Sequence, residues 1–303
     1  MENFILTLLL LVIGFALKRV KAFPESSSQV LNLFVIYISL PALVLLKIPQ
    51  LRYSNDLLVT LIVPWLVLAF SAFLVLVIGK RLKWPRETTG ALLLLVPLGN
   101  TSFLGIPMVQ AFFGEKAVPV ALMYDQLGSF LALALYGSLI LMIYSEKKTQ
   151  LSYTSVINKI ISFPPFISLV LALFLMPVSL PPLYFKTLTP LASTLVPVVM
   201  IAVGMQLSLK LELNKIAPFV IGLSIKMILA PLIVISAFIL LGLHGQIYQV
   251  TVFEAAMPPM ISAGALAIMS NLSPKLTAAM VAYGILLAFV SLPIVYFITQ
   301  MKI

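Results

Sequence analysis

The sequence predicts an all-α integral membrane protein, with ten transmembrane helices arranged as two inverted five-helix repeats. Three observations predict it: the composition, a series of ten apolar segments, and the placement of charge between them. Of 303 residues, 62% are hydrophobic and only 9% are charged, and the mean hydropathy is +1.16. A soluble domain is about one quarter charged. The lipid bilayer is therefore the first expected partner of this chain.

The composition also excludes several classes of function. The net charge of +10 is explained by basic loops on one side of a membrane, so nucleic acid is not an expected partner. The chain has no cysteine and one histidine, which excludes disulfides, thiolate catalysis and metal sites built from cysteines or several histidines. We find no phosphate-binding loop or hydrolase motif. We therefore expect no enzyme, no metal and no cofactor.

Ten apolar segments follow one another with short connections, and one crossing needs about 20 apolar residues. They lie at roughly 3–18, 28–47, 56–80, 88–113, 117–144, 157–176, 186–209, 215–242, 246–271 and 275–299. Basic residues follow the first segment, which is the reverse of a signal peptide. The first segment is therefore predicted to be a retained helix with its N-terminus outside.

The loop charges support this orientation. With the N-terminus outside, thirteen basic residues fall in inside loops and five fall outside, as the positive-inside rule requires. The inside set is Lys18, Arg19, Lys21, Lys80, Arg81, Lys83, Arg86, Lys147, Lys148, Lys159, Lys210, Lys215 and Lys275, and the outside set is Lys47, Arg52, Lys116, Lys186 and Lys302. We expect a multi-pass protein of the plasma membrane (the bacterial inner membrane) with both termini outside.

Five segments on each side of the midpoint have opposite orientations, which predicts an internal inverted repeat. The first repeat is residues 1–144, a cytoplasmic linker is 145–156, and the second repeat is 157–303. Helix breakers recur at matching places: Pro41 with Pro197, Pro64 with Pro231, and the broken middle of segment four with that of segment nine.

Segments four and nine are the most disrupted. Proline removes a backbone donor and glycine leaves helical geometry easily, and irregular backbone at membrane depth survives only where protein or water satisfies it. These segments are therefore predicted to be broken helices that cross near the membrane midplane. The predicted crossover or hinge residues are Pro97, Gly99, Gly105, Pro107, Pro259 and Gly264.

Each break exposes the ends of two half-helices. Their N-terminal ends are partly positive and suit carboxylates, whereas carbonyl ends suit cations. Hydrogen-bonding and small side chains at the breaks give a set of candidate substrate-binding residues: Asn100, Thr101, Ser102, Met257, Pro258 and Ser262. The alternative is that the prolines only kink helices for packing.

Three ionisable residues, Asp125, Lys226 and Glu254, lie within the segments. A charge at bilayer depth costs at least about 2.5–3.5 kcal/mol on insertion scales. We interpret them as coupling or electrostatic residues of the site. Interfacial positions for the acids, or a structural ion pair for Lys226, are the alternatives, and the sequence leaves open which of the three pair.

Residues 98–107, Leu-Gly-Asn-Thr-Ser-Phe-Leu-Gly-Ile-Pro, resemble the Gly-Asn-Thr-x-Phe-Leu-Gly-x-Pro signature of the auxin efflux carrier family of membrane transporters. Residues 254–258, Glu-Ala-Ala-Met-Pro, are similar to the family's ninth-helix motif. The family belongs with the bile acid/sodium symporters and sodium/proton antiporters. The resemblance implies a panel (scaffold) domain of helices 1, 2, 6 and 7, a core (transport) domain of helices 3–5 and 8–10, and elevator-type alternating access.

The resemblance also implies a secondary transporter of a small organic anion, and a homodimer through the panel helices. The midpoint loop of about fourteen residues resembles the compact prokaryotic members, which are associated with malonate or malate, more than the plant auxin carriers. An auxin-like substrate is therefore the weaker expectation. Sodium coupling does not carry over, because no complete sodium site matches this sequence, and we expect coupling to protons.

Three other functions compete with this interpretation. A sodium/proton antiporter on the same fold needs an acidic pair near the crossing, and the acids are isolated in the sequence. A non-transporting sensor usually carries a cytoplasmic output domain, and a membrane enzyme needs a catalytic cluster. Import or export and the substrate's identity stay open.

Overall fold

The computed structural model describes residues 2–51, 54–145, 153–207 and 215–303, and these ranges are helical without any β-strand. Four of the basic residues used to predict topology, Arg52, Lys147, Lys148 and Lys210, lie outside the described residues, as does most of the predicted linker 145–156. The prediction of an all-helical membrane protein is confirmed for the described residues.

We number the helices after the ten predicted segments. They are α1 (Glu2–Leu17), α2 (Ser27–Gln50), α3 (Asn55–Arg81), α4a (Arg86–Leu95), α4b (Thr101–Phe113), α5 (Glu115–Tyr144), α6a (Tyr153–Ile161), α6b (Pro164–Leu175), α7 (Pro182–Gln206), α8 (Ile216–Leu240), α9a (Gln246–Ala255), α9b (Ile261–Met269) and α10 (Pro274–Lys302).

Six of these helices, α2, α3, α5, α7, α8 and α10, are each long and apolar enough to cross a membrane. The pair α6a and α6b, bent by 62°, would make a seventh span. Fewer spans are found than the ten predicted, because α1 has only 16 residues and because the fourth and ninth segments are divided by breaks. Ten crossings therefore stay a prediction.

Three prolines are each preceded by a widened turn of π-helix. These turns cover Val35–Ser39, Thr101–Gly105 and Ile225–Leu229, and Pro41, Pro107 and Pro231 each follow one residue after the turn. Proline has no N–H, so the carbonyl four residues earlier loses its helical partner and the turn widens. Such π turns concentrate at functional sites.

Helices α1 and α7 make a close backbone contact. A Cβ atom at Gly14 would lie 2.8 Å from the Cα of Ile201, and one at Gly204 would lie 2.8 Å from the amide nitrogen of Phe15. Small residues allow membrane helices to approach this closely. Because α2 packs against α6b and α7, the four segments α1, α2, α6 and α7 form one packed group.

The remaining helices, α3, α4, α5, α8, α9 and α10, pack against one another as a second group. A cluster of aromatic rings joins α4b to α9a and α10. Phe112 and Phe113 each contact Phe253 and Tyr296 with ring centroids 5.0–5.5 Å apart. The two groups meet where α1 and α7 lie against α4b.

One end of the molecule gathers the start of α1, the end of α2, the turn before α5 and the C-terminus. There Lys47 forms an ion pair with Glu115, and the N–H of Gly245 donates to the terminal Ile303 carbonyl at 2.9 Å. We call this the Lys47 end.

The opposite end gathers the end of α1, the end of α7 and the starts of α4a and α10. The ammonium group of Lys18 donates to the Leu207 carbonyl at 2.7 Å, and the hydroxyls of Thr88 and Ser273 are 3.0 Å apart. We call this the Lys18 end.

Candidate functional site

The two breaks lie side by side in the core and pair with each other. The N–H of Asn100 donates to the Pro258 carbonyl at 2.8 Å, and the N–H of Met260 donates to the Leu98 carbonyl at 3.0 Å. Gly99 and Pro259 thus face each other as an isolated antiparallel bridge. Each break supplies backbone partners that the other has lost, which is how irregular backbone can be buried at this depth.

The predicted residues around this pairing are buried, including Pro97, Gly99, Met257, Pro258 and Pro259. Asn100 is 2% exposed, and its side-chain Nδ2 has no hydrogen-bond partner. A buried amide donor without a partner costs free energy. The Nδ2 of Asn100 is therefore an available donor at the crossing.

Asp125 binds the first turn of α4b. Its Oδ1 accepts hydrogen bonds from the Thr101 and Ser102 hydroxyls, both at 2.5 Å, and its Oδ2 accepts one from Gln126 Nε2 at 2.7 Å. Distances this short between a hydroxyl and an oxygen are typical of an ionised acceptor. A carboxylate of the chain itself thus occupies the N-terminal end of α4b, where the sequence predicted a substrate carboxylate.

Glu254 is fully buried on α9a and lies against the same half-helix. Neither oxygen of its carboxyl group has a hydrogen-bond partner. A Cβ atom at Gly105 would lie 2.8 Å from Glu254 Oε1 and closer still to Oε2. Gly105 is therefore required because the Glu254 carboxyl occupies the space of a side chain.

Lys226, in the π turn of α8, is also buried and reaches the break of α4. A Cβ atom at Gly99 would lie 3.1 Å from its ammonium nitrogen. Lys226, Glu254 and Thr101 line one narrow cavity of about 10 Å³, which has room for about one water molecule. Among the described residues, Lys226 forms no ion pair with either acid.

The two acids are isolated in the sequence but not in the structure. Asp125 bonds to Thr101 and Ser102, and Glu254 packs on Gly105, so both reach the first five residues of α4b. Both acids therefore lie near the crossing, and the sodium/proton antiporter stays an alternative. Periodicity within one segment does not show which faces of α5 and α9a turn toward α4b.

A cavity of about 600 Å³ opens at the Lys47 end, between the two packed groups. Pro107, Gln110 and Glu115 line it from the α4b side, and polar side chains of α1, α2 and α7 line it from the other. Lys47 lies in its wall and is ion-paired with Glu115, which also accepts a hydrogen bond from Gln110. This volume suits a small organic molecule.

A second cavity, of about 170 Å³, opens at the Lys18 end between α7, α9b and α10. Gly264, Ile261 and Gln206 line it. Helix α7 lines both cavities, the first with residues between Phe185 and Pro197 and the second with Val203 and Gln206. The two cavities thus approach the paired breaks from opposite ends.

The predicted site residues fall into two sets. The structure brings together Pro97, Gly99, Asn100, Thr101, Ser102, Gly105, Asp125, Lys226, Glu254, Met257, Pro258 and Pro259 around the paired breaks. Pro107 lies instead in the wall of the larger cavity, Gly264 in the smaller one, and Ser262 is half-buried one residue into α9b.

Lys47, Gln110 and Glu115 were not predicted as part of a site. They lie near segment ends, where polar residues are ordinary, and only Lys47 was noted, as a loop charge. One signal was present: Gln110 and Glu115 follow the conspicuous motif by one and two helical turns, on its Lys47 side.

Comparisons with known proteins cover almost the whole chain. The model of a family described as "Membrane transport protein" matches residues 1–296. An uncharacterized transporter of Methanocaldococcus jannaschii is 28% identical over 287 residues, which are 92% of this chain and 92% of that protein. An uncharacterized transporter of Methanothermobacter thermautotrophicus is 24% identical over 296 residues, covering 97% and 96%.

Proposed function

This chain belongs to the membrane transport protein family, the auxin efflux carrier family that its motif resembles, and on that premise we propose that it carries a small organic anion by secondary active transport. A carboxylate such as malonate or malate is the substrate class. Protons rather than sodium drive it. The paired breaks, with Asn100 Nδ2 unpartnered beside them, are the observation that carries this proposal.

Ten crossings in two inverted repeats, 1–144 and 157–303, form the proposed architecture. Two features support it: the paired breaks, and the alternation of loops between the Lys47 and Lys18 ends. In this proposal the Lys47 end faces outward, and both termini lie outside the plasma membrane.

Alternating access follows from the two packed groups. We assign α1, α2, α6 and α7 to the panel and the other six segments to the core, which moves as an elevator along α7. Cavities of about 600 and 170 Å³ on opposite sides of the paired breaks support this motion, and the larger one supports an outward-open state. A homodimer through the panel helices completes the proposal.

The anion would enter the larger cavity past Lys47 and meet Asn100 when it reaches the break. Asp125 already holds Thr101 and Ser102, so these hydroxyls position the half-helix rather than bind substrate directly in this state. Lys226 supplies the fixed positive charge that an anion needs beside two acids.

The test is binding followed by uptake. Purified protein is screened by thermal shift with mono- and dicarboxylates, amino acids and sodium at two pH values, because a ligand of the native state raises its melting temperature. Proteoliposomes are then assayed for malonate and malate uptake under an imposed proton gradient. Uptake that needs the gradient and is lost in Asn100→Ala supports the proposal. No stabilisation by any carboxylate and no uptake would overturn it.

A sodium/proton antiporter on the same fold is the second candidate. The approach of Asp125 and Glu254 to one half-helix favours it, because two neighbouring acids can exchange cations for protons. Its test uses the same proteoliposomes with a pH-sensitive dye inside. Alkalinisation or acidification of the lumen on addition of sodium, without any carboxylate, would favour the antiporter over the anion transporter.

A further inference from the structure

We propose that Glu254 is the proton-carrying group of this site and that Asp125 is a permanently ionised, positioning carboxylate. The inference rests on the proposed transport function and deepens it, because it divides the roles of the two buried acids. Three observations carry it: the donors around Asp125, the lack of donors around Glu254, and the charge balance of the buried cluster.

Asp125 has the partners of a carboxylate. Three side-chain donors, from Thr101, Ser102 and Gln126, converge on its two oxygens. Protonating the acid would remove its charge, and the three hydrogen bonds that it accepts would then be weaker. Hydrogen bonds to a charged group stabilise it more strongly than neutral bonds do. Asp125 therefore stays ionised and holds the start of α4b.

Glu254 has the surroundings of a neutral acid. It is as deeply buried as Asp125, and no donor reaches either of its oxygens. Its carboxyl group rests instead on the Cα of Gly105. An unpaired carboxylate in an apolar site is costly, and such a group holds its proton instead. The same low-dielectric site thus contains one ionised and one protonated acid.

The titratable groups that face Glu254 lie on two neighbouring helices. Asp125 and Tyr124 face it from α5, and Lys226 faces it from α8. Helix α3 presents only Pro64 and Leu68 to the cavity that Glu254 lines, and α10 contributes no residue to that cavity. Lys226 is thus the cation available to an ionised Glu254.

Charge balance favours one protonated acid in the cluster, and the donors around Asp125 make Glu254 that acid. With Glu254 protonated, the negative charge of Asp125 and the positive charge of Lys226 cancel, and the buried cluster is neutral. Loss of the proton leaves a net charge of −1 at membrane depth, which is unfavourable. When the O–H bond of Glu254 breaks, its proton leaves to water through the narrow cavity, and the new carboxylate faces Lys226 across that cavity.

The test reads the protonation state directly. A protonated carboxylic acid has an infrared carbonyl stretch that an ionised one lacks, and exchange into deuterated water shifts it. In the reconstituted protein at neutral pH, we expect one such band. Labelling all glutamates with carbon-13 at the carboxyl carbon should shift it, and labelling all aspartates should not.

Two variants assign the band to a residue. Glu254→Gln should abolish it, and Ser102→Ala, which removes a donor to Asp125, should leave it in place. A band that follows the aspartate label, a band that survives in Glu254→Gln, or no band at all would overturn the assignment. Because labelling uses the unmodified protein, the test does not depend on any variant folding.

The readout is independent of transport. The infrared band needs no carried substrate, so failure of malonate and malate uptake would overturn the proposed function and leave the assignment of Glu254 standing. Conversely, carboxylate uptake without the infrared band would support the proposed transport function and show that Glu254 is not its proton carrier.

Discussion

The carboxyl group of Glu254 rests on the α-carbon of Gly105, where a methyl group would lie 2.8 Å from its Oε1. Gly105→Ala should push this carboxyl out of its place and lower the free energy of unfolding by about 1–3 kcal/mol, the cost of overpacking a buried site. Thermal unfolding in detergent measures it. Gly137→Ala is the control, because its new methyl would meet only the side chains of Leu133 and Leu94. Equal effects of both substitutions would contradict the contact.

Removing one donor from Asp125 should destabilise the start of α4b. Ser102→Ala leaves a buried carboxylate with two of its three side-chain donors, and a hydrogen bond to a charged group contributes about 1.5–3 kcal/mol. The matched control is Ser71→Ala, because the Ser71 hydroxyl is buried on α3 without a partner. Melting temperatures should fall in the first variant and stay level in the second. A fall of the same size in both would mean that the bond to Asp125 contributes nothing specific.

The contact between α1 and α7 leaves no room for side chains. Gly14→Leu should separate the two helices and lower the melting temperature, because the new Cβ alone would overlap the Ile201 carbonyl. The cost is expected at about 3 kcal/mol or more, at the upper end for overpacking. Ala16→Leu is the control on the same helix, since Ala16 is exposed. Unchanged stability of Gly14→Leu would show that the two helices do not pack as described.

Lys47 should attract the anionic substrate into the larger cavity. Lys47→Gln removes the positive charge in the cavity wall and leaves Glu115, so the malonate concentration for half-maximal uptake should rise about tenfold at low salt. High salt should shrink this difference, because exposed charges are screened. Lys116→Gln is the control, an exposed neighbour that does not line the cavity. Equal shifts in both variants would indicate a general surface effect.

The absence of cysteine makes the orientation directly testable. Single cysteines at Lys116 and His244 should react from outside the cell with a membrane-impermeant maleimide. Cysteines at Arg81 and Lys159 should react only after the membrane is opened. All four positions are exposed. Labelling of Lys159→Cys in intact cells would contradict the inverted arrangement of the two halves, since that residue begins the second one.

The positions of the breaks were predictable from sequence, because Pro97, Gly99, Pro258 and Pro259 interrupt helical hydrogen bonding wherever they lie. Pairing of the two breaks was expected from the predicted repeat. The boundaries of most helices were also predictable, because each apolar segment ends where charged residues begin.

The roles of the polar residues could not be predicted in the same way. Thr101 and Ser102 were predicted as substrate ligands because a half-helix N-terminus attracts carboxylates. In the structure this N-terminus does bind a carboxylate, which is that of Asp125. Whether Asp125 or a substrate carboxylate occupies this N-terminus depends on how α5 is rotated about its axis. The sequence of α4 does not encode that rotation. The ion pair of Lys47 with Glu115 likewise depends on how two distant helix ends meet.

The hydrogen bonds between the two breaks have a consequence for biogenesis. Asn100 and Leu98 depend on Pro258 and Met260 for their backbone partners, and more than 150 residues separate these pairs in the chain. While the ribosome is still synthesising the second half, the first half has a membrane segment with unsatisfied amide and carbonyl groups, which lipid cannot satisfy. These groups therefore need other partners until the ninth segment emerges. A nascent chain arrested before residue 258 lacks the partners that its fourth segment has in the folded protein.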